Sequence, residues 1–147
     1  MSEIIKLSRS TVEKYLTCPR CCVLDKKYKI KPPSLPFTLN IAVDNLCKNE
    51  FDHYRRIQEP HPLFIENGID AVPFKHKDLE CWRNNFQGIR YKSIEYSYDF
   101  GGAVDDIWQK KNGELIIVDV KATSRNEFDW SETFNKYEYA KAYKRQL

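Results

Sequence analysis

No stretch of this sequence is apolar for long enough to cross a bilayer, and the N-terminus has no signal-peptide apolar segment. The chain is therefore expected in the cytoplasm, without a membrane partner. A strong charge of either sign is also missing: 24 Lys and Arg stand against 21 Asp and Glu, a net charge of +3. A domain that grips nucleic acid by charge alone carries a larger basic excess. A chain that also holds carboxylates for a metal can carry less, so the charge permits a nucleic-acid partner without arguing for one. Internal repeats and low-complexity segments are absent. The five cysteines are an odd number in a reducing compartment, which argues against a disulfide framework.

What is present reads as globular. The 147 residues suit one domain spanning 1–147, and an aromatic content of 14% is far from that of a disordered chain. Basic residues gather at Lys26, Lys27, Lys29 and Lys31, at Arg55 and Arg56, and at Lys141, Lys144 and Arg145. Each run taken singly reads as solvated surface.

Along the chain, Ser10 and Glu13 fit a capping box that opens a helix with Val12, Tyr15 and Leu16. A second short helix follows the Cys18-Pro19-Arg20-Cys21 turn, and Pro32, Pro33 and Pro36 then break the chain. Val43, Leu46, Cys47 and Phe51 share one face of a helix expected over 38–56. Pro60, Pro62 and Gly68 mark a loop, and a shorter helix is expected over 76–86.

The period then changes. Ile94, Tyr96, Tyr98 and Phe100 alternate with polar residues, which predicts a strand over 91–100 with Tyr96, Tyr98 and Phe100 in the core. Gly101 and Gly102 interrupt it. A second strand is expected over 103–109, the Asn112-Gly113 pair predicts a hairpin turn, and a third strand over 114–122 carries the apolar run 115–118. These three strands are expected to pair as an antiparallel meander. A closing helix is expected from Ser131, with Phe134, Tyr137, Tyr139, Ala140 and Tyr143 along it.

Asp119 and Lys121, two apart on the expected third strand, leave by the same face. A carboxylate and an ammonium at the end of an apolar strand are costly unless they serve something. A hairpin centred on Asn112-Gly113 makes Asp105 a near cross-strand neighbour of Asp119. Two carboxylates and the Val120 backbone carbonyl form the hard oxygen set that Mg²⁺ prefers. Lys121 then stands where it can stabilise charge developing on a phosphate. Asp-x-Lys alone is most often a surface ion pair, so the weight rests on the combination. Asp106 is expected on the opposite strand face, which favours Asp105.

The segments Gly102-Ala103-Val104-Asp105 and Ile117-Val118-Asp119-Val120-Lys121-Ala122-Thr123 resemble motifs II and III of the PD-(D/E)XK nuclease superfamily. Leu7-Ser8 and Tyr15 with Cys18-Pro19-Arg20 are similar to the start of its RecB-like branch, which includes the CRISPR adaptation exonucleases. Gln146 stands where that branch has the Gln of its Gln-x-x-x-Tyr helix. The resemblance implies an α/β restriction-endonuclease-like core, a small mixed sheet flanked by helices. It implies Mg²⁺- or Mn²⁺-dependent hydrolysis of single- or double-stranded DNA, in repair or defence. Asp105, Asp119 and Lys121 would be the catalytic group, Asp105 and Asp119 the metal ligands, and Gln146 a DNA-positioning residue.

Two departures stand out. The long helix before the sheet often offers a metal-binding His in that branch; here the matching region offers Asp44, with Glu50 and His53 further along. The Tyr four residues past Gln146 would fall beyond Leu147, so the chain reads as a fragment or as carrying an incomplete last motif.

Cys18-x-x-Cys21 has the spacing of half a zinc site or part of an iron–sulfur site. Completing it would need Cys47 or Cys81 to converge, because no cysteine follows Cys81, so a cluster within this chain is not the expectation. Trp108 and Trp130 flank the acidic group and are candidate stacking platforms, though aromatics at such spacing more often serve a core. His61 and His76 are assigned no role. Two rivals to the nuclease reading stay open: a catalytically inactive DNA-binding or structural member of the same fold, and an iron–sulfur- or zinc-stabilised interaction module.

Overall fold

The computed structural model describes residues 4–33 and 38–122, together with 129, 131 and 141–143. The class is mixed α/β, with two small three-stranded sheets and several helices. Residue contacts divide the chain into two compact units. The first comprises Met1–Leu35, Tyr91–Gly101 and Thr123–Leu147, and the second Pro36–Arg90 and Gly102–Ala122. No helix among the described residues is long and apolar enough to cross a membrane.

In the first unit, strand β1 (Ile5–Leu7) runs into helix α1 (Arg9–Thr17). Ser8 caps α1 by accepting the Thr11 N–H at 3.3 Å. The helix thus begins ahead of the expected Ser10 start, and the Ser10 hydroxyl lies 2.9 Å from that of Ser8. Helix α2 (Pro19–Tyr28) follows at once, because Pro19 has no N–H to satisfy and its fixed φ suits a first turn. It stops at Lys29, which adopts a left-handed φ of 59°. Lys14 of α1 pairs with Asp25 of α2.

The expected strand over 91–100 is two strands. β3 (Ile89–Ser93) and β4 (Tyr98–Gly102) are separated by a turn, and they lie in a sheet ordered β1-β4-β3. The Ser93 hydroxyl accepts the Tyr96 N–H at 3.3 Å and Ser97 takes a φ of 50°. A local side-chain hydrogen bond here outcompetes continued extension. The predicted core role of these aromatics fails as well: Tyr96 is 68% and Phe100 37% exposed, and Tyr98 is only partly buried. β4 pairs in parallel with β1, Tyr98 opposite Ile5. The expected meander is therefore incorrect, since β4 belongs to this sheet and not beside the strand that follows it.

In the second unit, helix α3 (Thr38–Ile57) forms as expected, with Arg55 and Arg56 in its last turn where the helix dipole favours cations. The expected loop after it contains a short helix, α4 (Pro62–Glu66), which His61 caps by accepting the Leu63 N–H at 3.1 Å. Strand β2 (Ala71–Pro73) has no counterpart in the sequence reading. The helix expected over 76–86 shrinks to α5 (Leu79–Arg83). The His76 ring accepts the Asp78 N–H, and the Asn84 side chain accepts the Phe86 and Gln87 N–H groups, so both ends are claimed by local bonds.

Strands β5 (Asp106–Lys110) and β6 (Leu115–Val118) join through the Asn112-Gly113 turn, as expected, and pair antiparallel with Asp106 opposite Val118. β2 pairs antiparallel on the other side of β5. Both β5 and β6 are shorter than expected, leaving Asp105, Asp119 and Lys121 just outside them. The core gathers Phe51, Phe64, Ala71 and Trp108, with Cys47, Ile69, Ile116, Val118 and Val120 packed against it. Leu115 and Ile117 are exposed, so the run before Asp119 alternates between core and surface and is not wholly buried.

Candidate functional site

The candidate group lies within the second unit, where β5 begins and β6 ends. The pairing of Asp106 with Val118 puts these two on the core side of the hairpin, and the period of two sends Asp105 and Asp119 to the other side. Asp105 is held there by its neighbours. The Val104 N–H donates to the Trp82 carbonyl at 3.1 Å. The Val120 N–H donates to the Asp105 carboxylate at 2.7 Å, while the Val120 side chain packs on the core. That bond ties the chain just past β6 to the chain just before β5.

Asp105 is crowded by like charge. Burial, and then the nearby Asp119 and Asp44 carboxylates, push its carboxyl above the usual carboxylate range; the Val120 N–H and the Lys48 ammonium pull the other way. Lys48 Nζ sits 2.8 Å from Asp44 and 3.9 Å from Asp105. Lys121 pairs with Asp119.

Asp105, Asp119 and Lys121 are thus brought together as the sequence suggests. Asp44 is near enough to act on Asp105 electrostatically, yet its carboxylate is turned to Lys48. Among the described residues no group of three or more His, Cys, Asp or Glu side chains is placed to hold a metal ion. What remains is a pair of carboxylates with the Val120 backbone between Asp119 and Lys121. An all-oxygen set of this kind fits a hard divalent cation that keeps several waters, and does not fit a soft one.

Other candidates go elsewhere. Asp106 is fully buried, paired with Arg55 and 3.1 Å from Arg83 Nη2, as its opposite strand face requires. Glu50 stands 3.2 Å from His61 Nε2, and His53 meets the Tyr54 ring edge-on. Trp108 is a core residue, in contact with Phe51 and Phe64, and is not a stacking platform. Trp130 and Gln146 lie outside the described residues. All five cysteines are free thiols: Cys18, Cys21 and Cys22 in the first unit, Cys47 and Cys81 in the second.

Two residues were missed from sequence. Lys48 is the cation that meets the acidic group, and its only signal is the i,i+4 spacing from Asp44. Arg55, read as solvated surface, is buried and donates to Asp52, Asp106 and the Phe74 carbonyl. No family model, curated protein or solved structure matches the chain.

Proposed function

We propose that the chain is a metal-dependent nuclease with a PD-(D/E)XK site on a restriction-endonuclease-like core, hydrolysing DNA phosphodiester bonds. The observation that carries this reading is the setting of the Asp105 carboxylate: it is half-buried near Asp119 and Asp44, and only the Val120 N–H at 2.7 Å and the Lys48 ammonium at 3.9 Å stand against that negative charge. A half-buried carboxylate set beside two others is a cost to the fold that a bound cation would relieve. Asp105, Asp119 and the Val120 carbonyl would hold Mg²⁺ or Mn²⁺, with Asp44 joining if it leaves Lys48. A divalent cation there supplies Lewis acidity toward a phosphate oxygen and makes a coordinated water more acidic.

The chain's own residues do the rest. The Val120 N–H fixes the Asp105 carboxylate, and Asp119 holds the Lys121 ammonium beside it. Lys121 is exposed and lies just past β6, where it can meet a phosphate and stabilise the negative charge that grows during hydrolysis. The test is cleavage of labelled single- and double-stranded DNA with Mn²⁺, beside an Asp119→Ala control. Cleavage by the parent and not by the control supports the reading. Equal activity in both sinks it.

One observation favours a second reading. Lys48 already supplies a positive charge to Asp44 and Asp105, which is what a metal-free, catalytically inactive DNA-binding or structural member of the same fold would keep. Absence of Mn²⁺ binding in the parent protein, measured calorimetrically, would favour that reading.

A further inference from the structure

The first unit holds a reactive pair that the proposed nuclease chemistry does not use. Cys18-Pro19-Arg20-Cys21 opens α2, with Cys18 at the N-cap and Pro19 in the first turn. The Cys18 sulfur accepts the Cys21 backbone N–H at 3.3 Å, which holds it over the first turn of the helix beside Cys21. Cys18 is the extended N-cap residue and its side chain turns back over the first turn toward Cys21. A disulfide needs the two Cβ atoms roughly 3.5–4.5 Å apart, which an adjustment of that first turn supplies.

The two sulfurs are not equivalent. The Cys21 thiol, the Cys21 and Arg20 backbone N–H groups and the Arg20 charge favour the Cys18 thiolate, and its pKa is lowered; that of Cys21 is raised, chiefly because it donates to Cys18. Both are accessible, Cys18 partly and Cys21 openly. The next thiol, Cys22, is buried and points at the Thr11 carbonyl, 3.8 Å away, which keeps it out of the exchange. No group of three potential ligands forms among the described residues, so the pair has no visible partners for zinc or a cluster.

We infer that Cys18 and Cys21 are a reversible dithiol–disulfide couple that exchanges with low-molecular-weight disulfides. Cys18, as thiolate, attacks one sulfur of R–S–S–R; a Cys18–S–S–R bond forms and RS⁻ leaves, taking up the proton that Cys18 gave to solvent. Cys21 then loses its proton and attacks the Cys18 sulfur, forming the Cys18–Cys21 bond and releasing the second RS⁻, which is protonated in turn. Two protein thiols are oxidised, one small disulfide is reduced to two thiols, and no further reactant is needed.

The probe is oxidised glutathione, applied to the full chain carrying Cys81→Ser so that the exposed Cys81 does not report. After an acid quench and alkylation, intact mass and a non-reducing peptide map give the products. The expected parent product loses two alkylatable thiols, carries no glutathione, and links Cys18 to Cys21. Adding Cys21→Ser should trap one glutathione on Cys18; adding Cys18→Ser should abolish the internal bond and slow the reaction. Serine also caps helices, so circular dichroism of the Cys18→Ser protein should be unchanged. A parent that accumulates stable glutathione adducts without the internal bond overturns the inference. Equal reaction rates for the Cys18→Ser and Cys21→Ser proteins overturn it too.

Discussion

The Asp105 carboxylate accepts the Val120 backbone N–H at 2.7 Å, so this acid is fixed by the residue that separates Asp119 from Lys121. One hydrogen bond thereby sets the relative placement of all three proposed catalytic side chains. It also opposes the burial that raises the Asp105 pKa, without cancelling it.

Asp105→Asn should therefore separate function from stability. Asn retains an oxygen for the Val120 N–H but removes a buried negative charge facing Asp119 and Asp44. In the wild type, the native state binds the Asp105 proton more tightly than the unfolded chain does. Stability then falls as pH rises from the unfolded value of 3.8 through the raised native value. Urea unfolding at pH 7 should show Asp105→Asn more stable than wild type, with the gap closing in acid. DNA cleavage with Mn²⁺ should fall by about a hundredfold or more.

Lys48→Met offers a test from the cation's side. Lys48 is the ammonium between Asp44 and Asp105, and removing it leaves their carboxylates facing each other uncompensated. Without divalent cations the melting temperature should drop. Millimolar Mn²⁺ should restore it and should bind more tightly than to wild type, because a competing charge has gone. A drop that Mn²⁺ cannot reverse would make Lys48 a purely structural cation.

Much of the second unit was legible because its signals are local and agree. The 3.6-residue period of α3, the Asn112-Gly113 turn and the two-residue offset of Asp119 from Lys121 all point one way. The hairpin register then follows, and with it the placement of Asp105 near Asp119. The first unit was read less well. The alternation over 91–100 is genuine, but the Ser93 hydroxyl and the left-handed Ser97 turn the chain midway, and β4 takes a partner 93 positions earlier, Tyr98 opposite Ile5. No window of sequence contains that pairing. Lys48 was passed over and Arg55 misread for a related reason: their carboxylate partners Asp105 and Asp106 lie far along the chain.

Asp106 should be structural where Asp105 is functional. It is fully buried between Arg55 and Arg83, and its carboxylate also accepts the Ile107 N–H at 2.6 Å. Asp106→Ala leaves two buried guanidinium groups short of a counter-charge, a loss of about 3–5 kcal/mol. Urea denaturation should record it as a large fall in midpoint. Mn²⁺ affinity, measured under conditions where the variant remains folded, should change little, whereas in Asp105→Asn it should collapse.

Gly88→Ala should be among the more damaging single-methyl changes in the second unit. Gly88 has a φ of +60°, which side-chain-bearing residues seldom adopt. Its backbone also presses on the start of the segment that carries Asp105: an added Cβ would stand 2.6 Å from the Gly102 carbonyl carbon and 3.0 Å from the Ala103 nitrogen, both of them backbone atoms. Neither neighbour can rotate away as a flexible side chain would. Left-handed strain alone costs about 1–3 kcal/mol, and the clash adds to it by displacing residues 102–103. Thermal unfolding should therefore show a lowered midpoint. DNA cleavage at temperatures well below that midpoint should fall as well, since Asp105 follows only two residues after Ala103. Gly68→Ala is the control: Gly68 has a similar φ of +65° but open space around it, so it should cost stability without touching cleavage.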